Sequence, residues 1–487
     1  MMTPVAMPTA AEFAALAPEI FLACATFTLL IADLFIQQAR RGLTHALALA
    51  ILLGTAFLTL RGGGAGQEAV SAFNGMFVRD GAGDLLKLAI YLVTGAAFVY
   101  ARPYLVDRDL YKGEYYSITL FAVLGMMLLV SADHLVMVYL GLELLALSSY
   151  ALVAFDRDSR IGSEAAMKYF VLGSLASGML LYGMSMVYGA TGSLDLQAIH
   201  AASTATGERT LLMFGVVFIV VGIAFKFGAA PFHMWLPDVY QGAPTPVTLF
   251  IGSAPKLAAF GMAYRLLESG VGPLEAGWTQ ALSALAVASL VIGNIVALVQ
   301  TNFKRMLAYS TISHVGFLFL GLAAADASGY AAAMFYAIAY ALMAAAGFGS
   351  LLLLSRRGFE AQEIADFAGL GRRHPVHALM VLFVMASMAG VPPFLGFWAK
   401  LAVIDAAVGA DLVWLAIVAV AASVVGLFYY LRVIKVMYFD AAEPGREPVP
   451  STDAHLRVVF VANAALLLVL GFAWGPLMAA CERAFGA

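Results

Sequence analysis

The chain alternates between long apolar stretches and short polar connections. Fourteen stretches of roughly 18–25 residues are each able to cross a hydrocarbon core of about 30 Å. Their approximate spans are 14–36, 42–61, 84–102, 115–132, 134–155, 163–188, 210–228, 243–267, 277–300, 305–323, 328–354, 376–403, 411–438 and 456–480. Only the polar turn Ser131-Ala132-Asp133-His134 separates the fourth from the fifth. The pattern predicts an all-α polytopic membrane protein. The first stretch has no basic region before it, so it is expected to be a retained helix rather than a signal peptide.

Two stretches carry Gly and Pro where a helix should still be running. One is Lys226-Phe227-Gly228-Ala229-Ala230-Pro231-Phe232-His233 in the seventh, and the other is Met388-Ala389-Gly390-Val391-Pro392-Pro393-Phe394-Leu395-Gly396 in the twelfth. Proline removes a backbone donor and clashes with the preceding turn. Carbonyls freed at membrane depth are tolerated only where they face protein or a wet cavity. Paired broken helices therefore point to a transport site, the alternative being a packing kink.

The breaks also read as a repeat. Pro231-Phe232 and Trp235 lie 162–163 residues before Pro393-Phe394 and Trp398, and Ala165-Ala166-Met167-Lys168-Tyr169 lies 167 residues before Ala332-Ala333-Met334-Phe335-Tyr336. Both matches fall five helices apart. An odd offset reverses direction in the membrane, so two inverted five-helix repeats are expected. The expected organisation is three N-terminal helices over about 1–113, a first repeat over about 114–268, a second over about 276–438, and a C-terminal helix at about 456–480.

Composition agrees: 62% of the 487 residues are hydrophobic and 12% charged, against about 25% charged in soluble domains. The net charge of -3 and scattered basic residues leave no patch for nucleic acid. Cys24 and Cys481 sit singly in apolar terminal segments and are expected to be small buried hydrophobes. With fourteen helices, 17 Lys and Arg residues fall in the connections on one side and 5 on the other. The positive-inside rule then puts the first side in the cytoplasm and both termini outside it.

The remaining five basic residues, Lys87, Lys168, Lys226, Lys256 and Lys400, lie inside the apolar stretches, as does Glu143. Each charge at the bilayer centre costs about 2.5–3.5 kcal/mol on insertion scales, so the default reading is a proton or ion path. Glu143 on the fifth helix and Lys226 on the seventh are opposed partners. Burial drives a lysine and a glutamate toward neutrality, and a nearby opposite charge drives them back. A lysine balanced between these effects gains or loses a proton when its partner moves. A static buried pair is the plainer alternative. Lys226, Lys256 and Lys400 are placed to form a row at mid-depth, and His314, among Ser310, Thr311 and Ser313, is a candidate relay. Snorkelling to an interface is the competing reading for Lys87 and for Lys168. His374 and His377 lie at a basic helix end and are assigned no metal. The sequence holds no haem, iron–sulfur or nucleotide motif, so the expected cargo is a proton or cation rather than an electron.

Four segments resemble the antiporter-like subunits of respiratory complex I: Tyr139–Tyr150, Lys226–Val247, Asn302–Gly316 and Ala389–Lys400. Two features favour the N-type branch: Lys400 stands where a sister branch typically has Glu, and there is no long lateral helix. The resemblance implies that Glu143, Lys226, Lys256 and Lys400 form the proton relay, with His314 and Lys168 as less securely matched positions. It also implies that NADH, FMN, iron–sulfur centres and quinone belong to partner subunits, with no cofactor in this chain. The implied partners are the other membrane subunits of the complex, including neighbouring antiporter-like ones, in a bacterial inner membrane. Two related readings stay open: a sodium/proton antiporter subunit and a membrane subunit of a hydrogenase-type complex. A scaffold would leave the mid-span charges unexplained.

Overall fold

The computed structural model describes residues 9–62, 69–205 and 207–486. Among the described residues twenty α-helices follow one another: α1 (Ala10–Ala15), α2 (Ala17–Asp33), α3 (Gly42–Gly62), α4 (Gly81–Asp107), α5 (Glu114–Val130), α6 (Leu135–Val153), α7 (Arg160–Thr191), α8 (Leu196–Ser203), α9 (Arg209–Phe227), α10 (Trp235–Gly242), α11 (Thr245–Tyr264), α12 (Glu275–Leu298), α13 (Phe303–Ala323), α14 (Ala327–Leu354), α15 (Leu370–Arg373), α16 (Pro375–Ala389), α17 (Leu395–Gly409), α18 (Val413–Phe439), α19 (Ala454–Phe472) and α20 (Trp474–Phe485). A hairpin, β1 (Val70–Ala72) with β2 (Phe77–Arg79), precedes α4.

Among the described residues eleven helical stretches are long and apolar enough to span, and α5 and α16 are shorter apolar helices. The 17-residue α2 accounts for the first of the fourteen expected stretches. The protein is therefore an all-α polytopic membrane protein. The expected last helix is two: α19 ends at Phe472 and α20 restarts at Trp474. Gly475-Pro476 is the sequence reason, since proline suits the first turn of a new helix and not the interior of an old one. Cys481 is buried on α20, whereas Cys24 is exposed on the outward face of α2, so burial is not a property of both cysteines.

Helices differ in how much surface they hide. α14 is buried along its whole apolar window, and α11 and α13 nearly so, while α3 and α7 turn most of their surface outward. A helix apolar all round belongs at the centre of a bundle. The Ala- and Gly-rich α14 fits that place and packs against α11, α13 and α17. Small residues permit close crossing elsewhere. A Cβ on Gly183 of α7 would stand 2.8 Å from the Gly215 carbonyl of α9.

Both broken helices stop in the same way. Gly228 caps α9 at φ 75°, and Gly390 caps α16 at φ 84°. This left-handed conformation costs an L-residue about 1–2 kcal/mol, which glycine avoids. A Cβ at Gly228 would also meet Leu236 Cδ1 at 2.3 Å. Gly228→Ala should therefore lower the melting temperature of the purified protein, corresponding to a loss of about 1–2 kcal/mol or more. An unchanged melting curve would mean that the break does not require glycine.

Candidate functional site

The break in the seventh stretch frees the last carbonyls of α9 inside the bundle. The Phe227 carbonyl accepts a 2.7 Å hydrogen bond from Lys256 Nζ of α11. The break in the twelfth does the same with Ala389, whose carbonyl accepts a 2.9 Å bond from Lys400 Nζ of α17. Each ammonium thus sits on the carbonyl end of a half-helix, where the helix dipole favours a cation. Both lysines are buried. Aromatic faces complete their surroundings. Trp235 lies 5.7 Å from Lys256 Nζ and Phe317 lies 4.8 Å from Lys400 Nζ. Ser423 of α18 accepts a second bond from Lys400 at 3.0 Å.

Glu143 is held by Ser177 Oγ of α7, which donates to its Oε1. Among the described residues Glu143 makes no ion-pair contact with Lys226, although its charge acts on Lys226 through space. Lys226 and Ser177 instead line a shared cavity of about 20 Å³ with Tyr150, Tyr169 and Trp235. That space suffices for about one water molecule. The residue common to Glu143 and Lys226 is Ser177, which holds Glu143 and also lines the cavity that Lys226 borders. Trp235, stacked on Tyr169 at 4.7 Å, separates this cavity from Lys256.

His314 on α13 is buried and bonded at both nitrogens: Nδ1 to Tyr336 Oη at 2.7 Å and Nε2 to Tyr430 Oη at 3.1 Å. Tyr430 Oη also meets Ser310 Oγ, and Tyr340 Oη donates to Thr311 Oγ1 at 2.8 Å. The charge of Lys400 acts on His314. His314, Tyr336, Tyr430 and Ser310 form a connected hydrogen-bonded string across α13, α14 and α18, and the Tyr340–Thr311 bond is a separate pair beside it.

Lys168 is half-exposed near the start of α7. It bridges to Asp238 of α10 at 2.8 Å and to Glu164 at 2.9 Å, so it lies at the rim of the site. Asp238 also takes Arg305 of α13 at 2.8 Å, tying three elements together.

Two residues depart from expectation. Lys304, assigned to a polar connection, is buried, and it donates to the Ala243 carbonyl at 2.8 Å and faces Glu360 at 3.8 Å. Glu360 also receives Thr245 Oγ1, Tyr104 Oη at 3.2 Å and Arg108 at 3.8 Å. Burial pushes the Glu360 carboxyl up, but Lys304, the Thr245 bond and Arg108 outweigh it and hold it below the ordinary value. Lys87, for which snorkelling was one expectation, is fully buried and paired with Glu19 at 2.6 Å. The rings of His374 and His377 pack 6.2 Å apart. Sequence reasoning missed Ser177, Trp235, Tyr336, Tyr430 and Glu360. Trp235 and Tyr336 carried a signal, their repeat partners Trp398 and Tyr169.

Two broken helices, each with a lysine on its freed carbonyl, inside an all-α polytopic bundle define a transporter-type membrane subunit. The family model described as NADH:quinone oxidoreductase/Mrp antiporter, TM, matches residues 132–426. The NADH-quinone oxidoreductase subunit N of Xanthomonas euvesicatoria pv. vesicatoria (strain 85-10) is 58% identical over 487 residues, 100% of this chain and 99% of that one. The subunit N of Thioalkalivibrio sulfidiphilus (strain HL-EbGR7) is 54% identical over 96% of this chain and 97% of its own. Among solved structures, a chain of respiratory complex I from Thermus thermophilus with bound aureothin superposes with a TM-score of 0.82. It is 32% identical and covers 96% of this chain and 100% of that one. The chain belongs to the NADH-quinone oxidoreductase subunit N family.

The Glu360 cluster gives a pH prediction. A carboxyl whose folded pKa is depressed stabilises the fold above its unfolded pKa, about 4.3, and loses that contribution as pH falls through the folded value. The melting-temperature gap between wild type and Glu360→Gln should be steady above about pH 5 and narrow below it. A gap that widens on acidification would contradict the assignment.

Proposed function

We infer that this chain is a proton-translocating membrane subunit of an NADH–quinone oxidoreductase, assembled with the other membrane subunits of that complex in a bacterial inner membrane. Full-length likeness to the subunit N relatives supports this assembly. NADH oxidation and quinone reduction belong to partner subunits, which supply the energy. The family description also covers Mrp antiporters, so the fold by itself does not choose between the two. Identity of 58% along the whole chain favours the oxidoreductase. The excess of Lys and Arg on one set of connections supports placing that side in the cytoplasm, with both termini periplasmic. The matching breaks and offsets support two inverted five-helix units, about 114–268 and 276–438.

In this reading Glu143, Lys226, Lys256 and Lys400 carry the relay, with His314 joining its second half and Lys168 at its rim. The observation that carries it is the pair of buried ammonium groups on the freed carbonyls of two broken helices. A movement that changes the field of Glu143 at Lys226 changes how firmly Lys226 holds its proton. Lys226 and Lys256 repel each other, so loading one favours unloading the other. The proton passes from Lys226 by way of the Trp235 region to Lys256, then through the His314–tyrosine string to Lys400. Moving a charge against the membrane potential costs about 2.3 kcal/mol per 100 mV. A shift of two pKa units supplies about 2.7 kcal/mol. Changes in charge pairing of ordinary size are therefore enough, without large helix motion.

Lys226→Ala in inside-out vesicles tests this reading. With assembly verified, NADH-driven acidification and coupled NADH oxidation should both fall about tenfold or more, equivalent to ~1.4 kcal/mol on the barrier. Intact pumping and turnover would sink the relay.

A further inference from the structure

The relay leaves one buried charge cluster unused, and it lies outside the family-matched region of residues 132–426. Lys87 on α4 is wholly enclosed, and Glu19 on α2 is nearly so. Lys87 Nζ stands 2.6 Å from Glu19 Oε1 and 4.0 Å from Asp84 Oδ1. Asp84 is in turn held by Arg79 at 3.1 Å, and Arg79 donates to the Thr59 carbonyl at 2.7 Å. The groups alternate in sign, Glu19, Lys87, Asp84, Arg79. Side-chain exposure is 3% at Glu19, 1% at Lys87, 12% at Asp84 and 7% at Arg79, so Asp84 is the most open of the four. Asp80, one turn before Asp84, is 20% exposed and paired with Arg265. The series runs from the protein interior to the membrane face that carries the Ser131–His134 turn, to which the hairpin bonds through Val78 and Met76.

A pair kept only to fix packing should have its polar atoms satisfied, because unsatisfied buried charge is costly. This pair is only partly satisfied: Lys87 Nζ and Glu19 Oε1 are in ion contact, but among the described residues both Glu19 oxygens, Asp84 Oδ1 and Lys87 Nζ are buried without a well-aligned hydrogen bond, as is the Thr94 hydroxyl two turns further along α4. Lys87 lies six residues into α4, about 9 Å from its start, and its side chain is wholly enclosed there. The Phe77 ring closes the site at 5.1 Å from Nζ, and Tyr91, bonded to Thr59, packs nearby.

We propose that Glu19, Lys87 and Asp84 form a second proton-holding site, separate from the mid-membrane relay and opening to the opposite face from Lys168. In the loaded state Lys87 is an ammonium between two carboxylates. In the unloaded state it is a neutral amine, its proton having passed to Asp84 and on to that face; one N–H bond breaks and one O–H bond forms. α4 packs along α11, the helix of Lys256, so a charge change on α11 reaches the site through direct packing. The proposal rests on the chain being a proton-moving subunit.

The test uses the whole purified complex in proteoliposomes. Lys87→Arg keeps the positive charge but cannot deprotonate. NADH-driven acidification should fall about tenfold, equivalent to ~1.4 kcal/mol, with assembly retained. Full pumping by Lys87→Arg overturns the proposal. Glu19→Leu with Lys87→Met removes the pair and fills its space with apolar groups. Reduced pumping in the assembled double variant supports the site, and wild-type pumping there identifies a static anchor and overturns it. Failure of both variants to assemble also marks an anchor and overturns it. Lys226→Ala in parallel separates the two readings: if that variant pumps normally, the relay is what fails.

Discussion

An ammonium group inside an apolar bundle must find an acceptor that does not cancel its ability to titrate. A carboxylate in direct contact stabilises the charged form strongly, bare hydrocarbon does not stabilise it at all, and a neutral carbonyl lies between the two. Here the acceptor is a backbone carbonyl at the end of a half-helix. Phe227 offers one to Lys256 and Ala389 one to Lys400. Those carbonyls are free only because Gly228 and Gly390 turn the chain into a conformation that ends the helix. The breaks, the lysines and the glycines are one arrangement, and removing any of them leaves a buried polar group without a partner.

Around that arrangement the packing is firm at the centre and adaptable at the rim. α14 supplies a small-residue core against which α11 and α13 lie, so the helices bearing Lys256 and His314 have little room to move. The connections between the polar residues are instead hydroxyls and one small cavity: Ser177 beside Glu143, Tyr336 and Tyr430 on His314, Ser423 on Lys400. Hydroxyls both donate and accept, so they pass hydrogen-bond polarity without carrying charge themselves. Asp238 joins α7, α10 and α13 at the rim, where Lys168 and Arg305 share its carboxylate.

Much of this was legible in the sequence because depth in a membrane is written along the chain. Apolar length located the helices, and Gly and Pro located both breaks within a residue or two. Lys256 and Lys400 stood out for the same reason. What the chain does not write is lateral placement. Hydropathy gave Lys304 and Lys87 a position near helix ends, where a lysine ordinarily reaches water; neighbouring helices cover both. His314 meets Tyr336 and Tyr430 from 22 and 116 residues away, a pairing that no local pattern encodes. Glu143 and Lys226 were expected as an opposed pair, and the Ser177 hydroxyl that holds Glu143 was not legible. The break before Trp474 did carry a signal, Gly475-Pro476, that the apolar length of the stretch outweighed.

The most direct test of the account is the Lys256 Nζ to Phe227 carbonyl distance, 2.7 Å here, in structures of the intact complex at rest and during NADH-driven turnover. If the carbonyl holds the lysine's charge and gives it up with the proton, a turnover state will show that contact opened beyond hydrogen-bond range. A contact that stays closed in every turnover state would mean that Lys256 keeps its proton throughout, and the relay would not run through it.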